Sequence, residues 1–152
     1  MAVEIHHLRT YLAMLAGSPG TRMFRQMFAD VDGEERDILH DGELSCAFFV
    51  SSVLYHFNLI KHLHATVGGT LKDMKENGWR AGSVEKAPKG AILVWEPAEE
   101  RGELHYHAGF LMGDDQALSN STAERVPAMH HLTFDGKRKI TEVYTHPFLT
   151  AH

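Results

Sequence analysis

The chain contains one cysteine, Cys46, and it stands where a helix should begin. The segment reads Gly42-Glu43-Leu44-Ser45-Cys46-Ala47-Phe48-Phe49-Val50. Counted from Cys46, apolar residues recur at Phe49, Val50, Val53, Leu54, Phe57 and Ile60, the spacing of one helical face. Ser45 is suited to cap that helix. A thiol in the first turn lies beside free amides and the positive end of the helix dipole. Both favour the thiolate and so predict a nucleophile with a lowered pKa. One cysteine leaves no internal disulfide and no multi-thiolate zinc site. Cys46 is therefore either a buried filler or a reactive thiol.

A thiol nucleophile needs an imidazole to take its proton and a polar group to orient the ring. The segment His105-Tyr106-His107-Ala108-Gly109-Phe110 puts two imidazoles on one strand face, and spacing alone does not separate them. His107 lies 61 residues beyond Cys46, on a different element. Gly109, on the same face, leaves room for a helix end to approach closely. A two-residue turn at Asp114-Asp115 would pair Gly113 with Gln116, Gly109 with Asn120 and His107 with Thr122. Asn120 is then diagonal to His107, with its amide oxygen free to accept the ring N–H. A three-residue turn would reverse the parity and bring Ser119 or Ser121 to that face. Asn120 is preferred, because a carboxamide orients an imidazole better than a hydroxyl.

A cysteine opening a helix, a Gly90-Ala91-Ile92-Leu93-Val94-Trp95 strand after Pro88-Lys89, and His107-Ala108-Gly109-Phe110-Leu111-Met112-Gly113-Asp114 together resemble the NlpC-type cell-wall cysteine peptidases. These are relatives of the CHAP amidases and lecithin–retinol-acyltransferase-like enzymes within the papain-like group. The resemblance covers roughly residues 41–121 and implies Cys46 as nucleophile and His107 as base. The family's usual Asp-Cys-Ser is here Ser45-Cys46-Ala47, and its third polar residue, often histidine, falls near Ser119 or Asn120. The implied substrate is a peptidoglycan stem peptide cleaved at an amide beside a D-residue. A thiol acyltransferase using the same pair, or a binding module that retains the fold with an inert thiol, are the alternatives.

The elements that must position these residues follow from the rest of the pattern. Ile5, Leu8, Leu12, Leu15 and Ala16 mark an amphipathic first helix ended by Gly17-Ser18-Pro19-Gly20. Met23, Phe24, Met27 and Phe28 predict a short second helix, and polar residues 30–43 a loop. The cysteine helix is expected to end near Lys61 to His64. Thr70 would cap a helix to Asn77, with Asp73 at its third position and Gly78 as terminator. Strands are expected at Ala91–Trp95, Leu104–Met112, Gln116–Ser121 and Lys139–Tyr144, with Pro97–Gly102 a charged loop. Helices first and an antiparallel meander second indicate an α+β, papain-like domain, its N-terminal helical layer packed on a C-terminal sheet.

A chain of 152 residues, 43% hydrophobic, suffices for one domain, 1–152, with a real core. The net charge of −5 argues against a nucleic-acid surface. No stretch approaches the roughly eighteen apolar residues of a membrane span, and residues 1–17 fit a helix better than a signal peptide. A cytoplasmic location is expected for the chain as written, and export by a non-standard route, delivery as a toxin-like effector or a cytoplasmic recycling role would each reconcile it with a cell-wall substrate. The twelve histidines include His62/His64, His105/His107 and His130-His131, but no His-Glu-x-x-His or comparable motif. The expectation is a peptide or peptidoglycan-fragment substrate, with no metal and no cofactor.

Overall fold

The computed structural model describes residues 1–150, so the last two residues of the expected domain lie outside the described residues. Helix α1 (His7–Gly17), strands β1 (Phe28–Val31) and β2 (Glu34–Asp37), helices α2 (Cys46–His56) and α3 (Val67–Glu76) and strand β3 (Arg80–Ala81) come first. Strands β4 (Ile92–Glu100), β5 (Glu103–Gly113), β6 (Gln116–Asn120), β7 (Pro127–His131) and β8 (Ile140–Thr145) follow, before a 3-10 turn at Pro147–Thr150. Strands β1 and β2 form a separate hairpin. The other six make one antiparallel sheet in the order β3-β8-β4-β5-β6-β7. The architecture is α+β, as the order of elements predicts.

The apolar stripe of α2 explains its place. Phe49, Val50, Val53 and Leu54 are buried, and the helix lies against β5 and β6. Phe49 meets Phe110 of β5 edge to face, with ring centroids 5.3 Å apart. Tyr11 of α1 packs on the same Phe110 and donates its hydroxyl proton to the Gly90 carbonyl at 2.8 Å, tying the first helix to the start of β4. Because side chains alternate along β5, Ala108 and Phe110 face the helices, while His107 and Gly109 face the opposite side. There they meet Trp95, which pairs with His107 across β4.

Several expected elements are corrected. No helix forms at Met23–Phe28; β1 and β2 fill this region and the expected loop instead, joined at Asp32-Gly33, both left-handed as a tight hairpin turn requires. Helix α2 stops at His56, because Asn58 is left-handed and cannot continue it. Helix α3 starts earlier than expected, with Thr66 rather than Thr70 as its cap, the Thr66 hydroxyl accepting from the Gly69 amide at 3.0 Å. Asp73 is then a mid-helix carboxylate. It is buried, accepts the Lys61 and His62 amides at 2.9 Å and touches Nε2 of His64 at 2.7 Å, closing the α2–α3 loop. The charged segment after Pro97 continues β4, a bulge between Trp95 and Ala98 absorbing the proline. Strand β7 was not expected from the sequence, and it carries His130.

Candidate active site

The thiol reaches the sheet at a gap in its hydrogen bonding. Strand β6 pairs with β5 only as far as Gly109↔Ser119, so the edge of β5 at Tyr106–Ala108 has no strand partner on that side. The Cys46 sulfur occupies this gap, 3.9 Å from the Tyr106 carbonyl and within reach of the Ala108 amide. Cys46, His107 and Asn120 line one cleft of about 450 Å³, with Ile38, Leu44 and Glu100 on its walls. Among the described residues, no hydrogen bond joins the sulfur to the His107 ring.

The hairpin that was to choose the third residue behaves in an unexpected way. The turn is two residues long, and Gly113 does pair with Gln116. A bulge between Leu111 and Gly113 then shifts the register, so Gly109 pairs with Ser119 and not with Asn120. Ser119 therefore shares the face of His107, and its hydroxyl lies 2.8 Å from Nε2 of the ring. The same hydroxyl lies 2.7 Å from Nε2 of His130. Asn120 points to the helical side, where its amide donates to the Gly42 carbonyl at 2.7 Å. The expected Asn120–His107 contact is absent; Asn120 staples the loop that leads into Cys46. Among the described residues its Oδ1 and the Ser45 hydroxyl are buried without partners, and Ser45 makes no side-chain cap.

Gly109 is a close-approach position, but not for a helix. A Cβ there would lie 2.5 Å from the Leu118 carbonyl, 2.7 Å from the Ser119 Cβ and 3.2 Å from the Trp95 ring. The absent side chain lets the indole lie over the strand beside His107, with ring centroids 5.3 Å apart. Of the two histidines spacing could not separate, His107 is buried at 6% exposure and His105 stays partly in solvent near Glu103.

Electrostatics set both groups neutral at rest. Burial pushes the Cys46 thiol up to about 11, and the Glu100 charge adds to this, against the Ala108 and Ala47 amides, which favour the thiolate. This direction is opposite to the lowering expected from the helix start, since burial disfavours the charged form of a thiol. Burial pushes His107 down to about 3, helped by the charge of Arg138. That guanidinium is fixed by the carbonyls of Glu96 and His105 at 2.8 and 3.0 Å. Both shifts favour a neutral thiol beside a neutral imidazole over a thiolate–imidazolium pair.

Sequence reasoning missed His130. The pair His130-His131 was visible, but only as two of many histidines without a metal motif. Among the described residues, no three His, Cys, Asp or Glu side chains converge as a metal's donors would, and no helix is long and apolar enough to cross a membrane. No protein-family model matches the chain, and no curated protein matches its sequence.

Proposed function

We propose that this chain is a papain-like cysteine hydrolase acting on an amide bond of a peptide, of the class found in peptidoglycan stems. One observation carries the reading: Cys46, at the start of a helix, and His107 line one cleft, and His107 has one nitrogen bound to Ser119 and the other left over. The substrate class comes from the resemblance of residues 41–121 to the NlpC-type peptidases.

In this mechanism the Cys46 sulfur attacks the carbonyl carbon while its proton passes to Nδ1 of His107. First-turn amides have no intrahelical acceptor, so the Cys46 N–H is available to the developing oxyanion. His107 returns the proton to the leaving amine as the C–N bond breaks, giving a thioester. Water then attacks the thioester, gives a proton to His107, and the thiol leaves reprotonated. Ser119 orients the ring throughout.

The test is mass spectrometry of purified peptidoglycan fragments incubated with wild type and with Cys46→Ala. New peptide products with the first and none with the second support the proposal. A second reading is favoured by one observation, the lack of a thiol–imidazole hydrogen bond beside a thiol raised to about 11. In that reading the cleft binds peptides without cleaving them. It predicts fragment binding that is equal in wild type and Cys46→Ala, with no products from either.

A further inference from the structure

Ser119 stands between two rings, and its hydroxyl has one proton to give. It lies 2.8 Å from Nε2 of His107 and 2.7 Å from Nε2 of His130, and among the described residues its side chain has no other hydrogen-bond partner. Which ring receives that proton decides which nitrogen of His107 is bare. The answer comes from the far side of His130. Its Nδ1 lies 2.8 Å from the His131 carbonyl, an acceptor only, so Nδ1 carries hydrogen. A neutral His130 then has a bare Nε2, which accepts from Ser119. The Ser119 oxygen in turn accepts from Nε2–H of His107. Nδ1 of His107 is left without a proton, as a base for the thiol requires.

We infer that His130 is a positioning residue of this site, fixing the tautomer of His107 through the Ser119 hydroxyl. The inference rests on the proposed function for its catalytic consequence, while the tautomer itself is measurable without any substrate.

The surroundings hold His130 to this task. Its ring stacks on Phe134, with centroids 3.9 Å apart and planes at 11°, and packs against Trp95 at 5.5 Å. The Trp95 indole N–H donates to the Leu132 carbonyl at 2.6 Å. The loop carrying Phe134 is itself fixed, because Nδ1 of His131 accepts the Thr133 amide at 3.1 Å. Both nitrogens of His130 are engaged, so the ring can neither flip nor turn without losing bonds. Burial lowers its pKa, which keeps the ring neutral and its Nε2 able to accept. His107 forms a wall between two cavities, one holding Cys46 and the other holding Ser119 and His130. The tautomer is set from one side and used on the other.

Without the His130 acceptor, the Ser119 hydroxyl is free to donate to Nε2 of His107. The ring proton then sits on Nδ1, and the bare nitrogen that the proposed mechanism uses as its base is lost. A ring that only filled space would have no such effect. His130→Phe keeps the stack on Phe134 but removes the acceptor; His130→Gln offers an amide oxygen near the position of Nε2.

The experiment is nitrogen-15 NMR of protein labelled at histidine, which distinguishes protonated from bare ring nitrogens, with His107 assigned by its own substitution. In wild type at pH 7, His107 should show a bare Nδ1 and a protonated Nε2. In His130→Phe and in Ser119→Ala, protonated Nδ1 should gain population, and His130→Gln should restore the wild-type pattern. Turnover, where found, should fall about ten- to a hundredfold in His130→Phe, in kcat and not in KM, as for outer partners that orient a functional imidazole. If His107 keeps its wild-type tautomer in both His130→Phe and Ser119→Ala, the inference is overturned whatever the activity. Should the tautomer move as expected while wild type cleaves nothing, the relay stands and the hydrolase reading fails. Should His130→Phe not fold, Ser119→Ala and His130→Gln decide the matter by the same spectra.

Discussion

Gly109 pairs with Ser119 across the β5–β6 hairpin, one residue away from the partner that an unbroken two-residue hairpin would give it. That single step moves Ser119 onto the face of His107 and turns Asn120 to the helices. The expected mutational ranking is thereby reversed. Ser119→Ala should lower turnover roughly ten- to a thousandfold, a loss of about 1.4 to 4 kcal/mol of transition-state stabilisation. Asn120→Ala should act on stability instead, because it strips the Gly42 carbonyl of a buried donor at a cost of about 1–3 kcal/mol. Steady-state rates and denaturant midpoints for both variants separate the two roles. A silent Ser119→Ala with an inactive, stable Asn120→Ala would refute the assignment.

The thiol makes its own prediction. With burial holding Cys46 up to about 11, alkylation by iodoacetamide should be slow near pH 6 and climb through the alkaline range. Glu100 raises that pKa by its charge, so Glu100→Gln should shift the climb to lower pH. Alkylation rates from pH 6 to 10, read by intact mass, check both statements. A rate already level at pH 6 would mean that the helix dipole wins after all.

These outcomes show which parts of the molecule were legible in the sequence. The face of α2 was legible because Phe49, Val50, Val53 and Leu54 repeat at helical spacing and bury as a set. The core of β4 was legible as an unbroken apolar run from Ile92 to Trp95. A bulge carries no such signal: nothing in Leu111-Met112-Gly113 announces an extra residue in one strand, yet it decides which side chain meets His107. The burial that pushes the thiol's pKa up was illegible for a related reason. A helix start is local and readable, whereas desolvation depends on what the fold brings over the residue. Gly109 lies between these cases, for its close approach was foreseen but the neighbours proved to be Leu118 and Ser119 of β6, with Trp95 beyond them.

His107 predicts how stability changes with pH. Its pKa falls from about 6.5 in the unfolded chain to about 3 in the fold, so between these values the unfolded state binds more protons. Stability should therefore be fully present above about pH 6.5 and decline as pH falls toward 3, by on the order of a few kcal/mol. His130, also lowered by burial, adds to the decline. Urea unfolding from pH 7 to 4 should show the loss, and His107→Gln should flatten it. A stability unchanged down to pH 4.5 would contradict the buried, neutral ring.

Gly109 gives the sharpest structural test. A methyl group there would meet the Leu118 carbonyl at 2.5 Å and the Ser119 Cβ at 2.7 Å, and the backbone oxygen has no rotamer by which to retreat. Gly109→Ala should therefore push β6 away from β5, at a cost of about 1–3 kcal/mol as for overpacked cores. The displacement falls on Ser119 itself, so the 2.8 Å bond to His107 should lengthen with it. The variant should lose both stability and the wild-type His107 tautomer, whereas a stabilised core variant elsewhere would leave the tautomer alone. Chemical denaturation and histidine nitrogen spectra of the same sample read the two effects together. If Gly109→Ala proves as stable as wild type with an unchanged ring spectrum, the packing of Trp95, Ser119 and His107 around this glycine is looser than the fold requires.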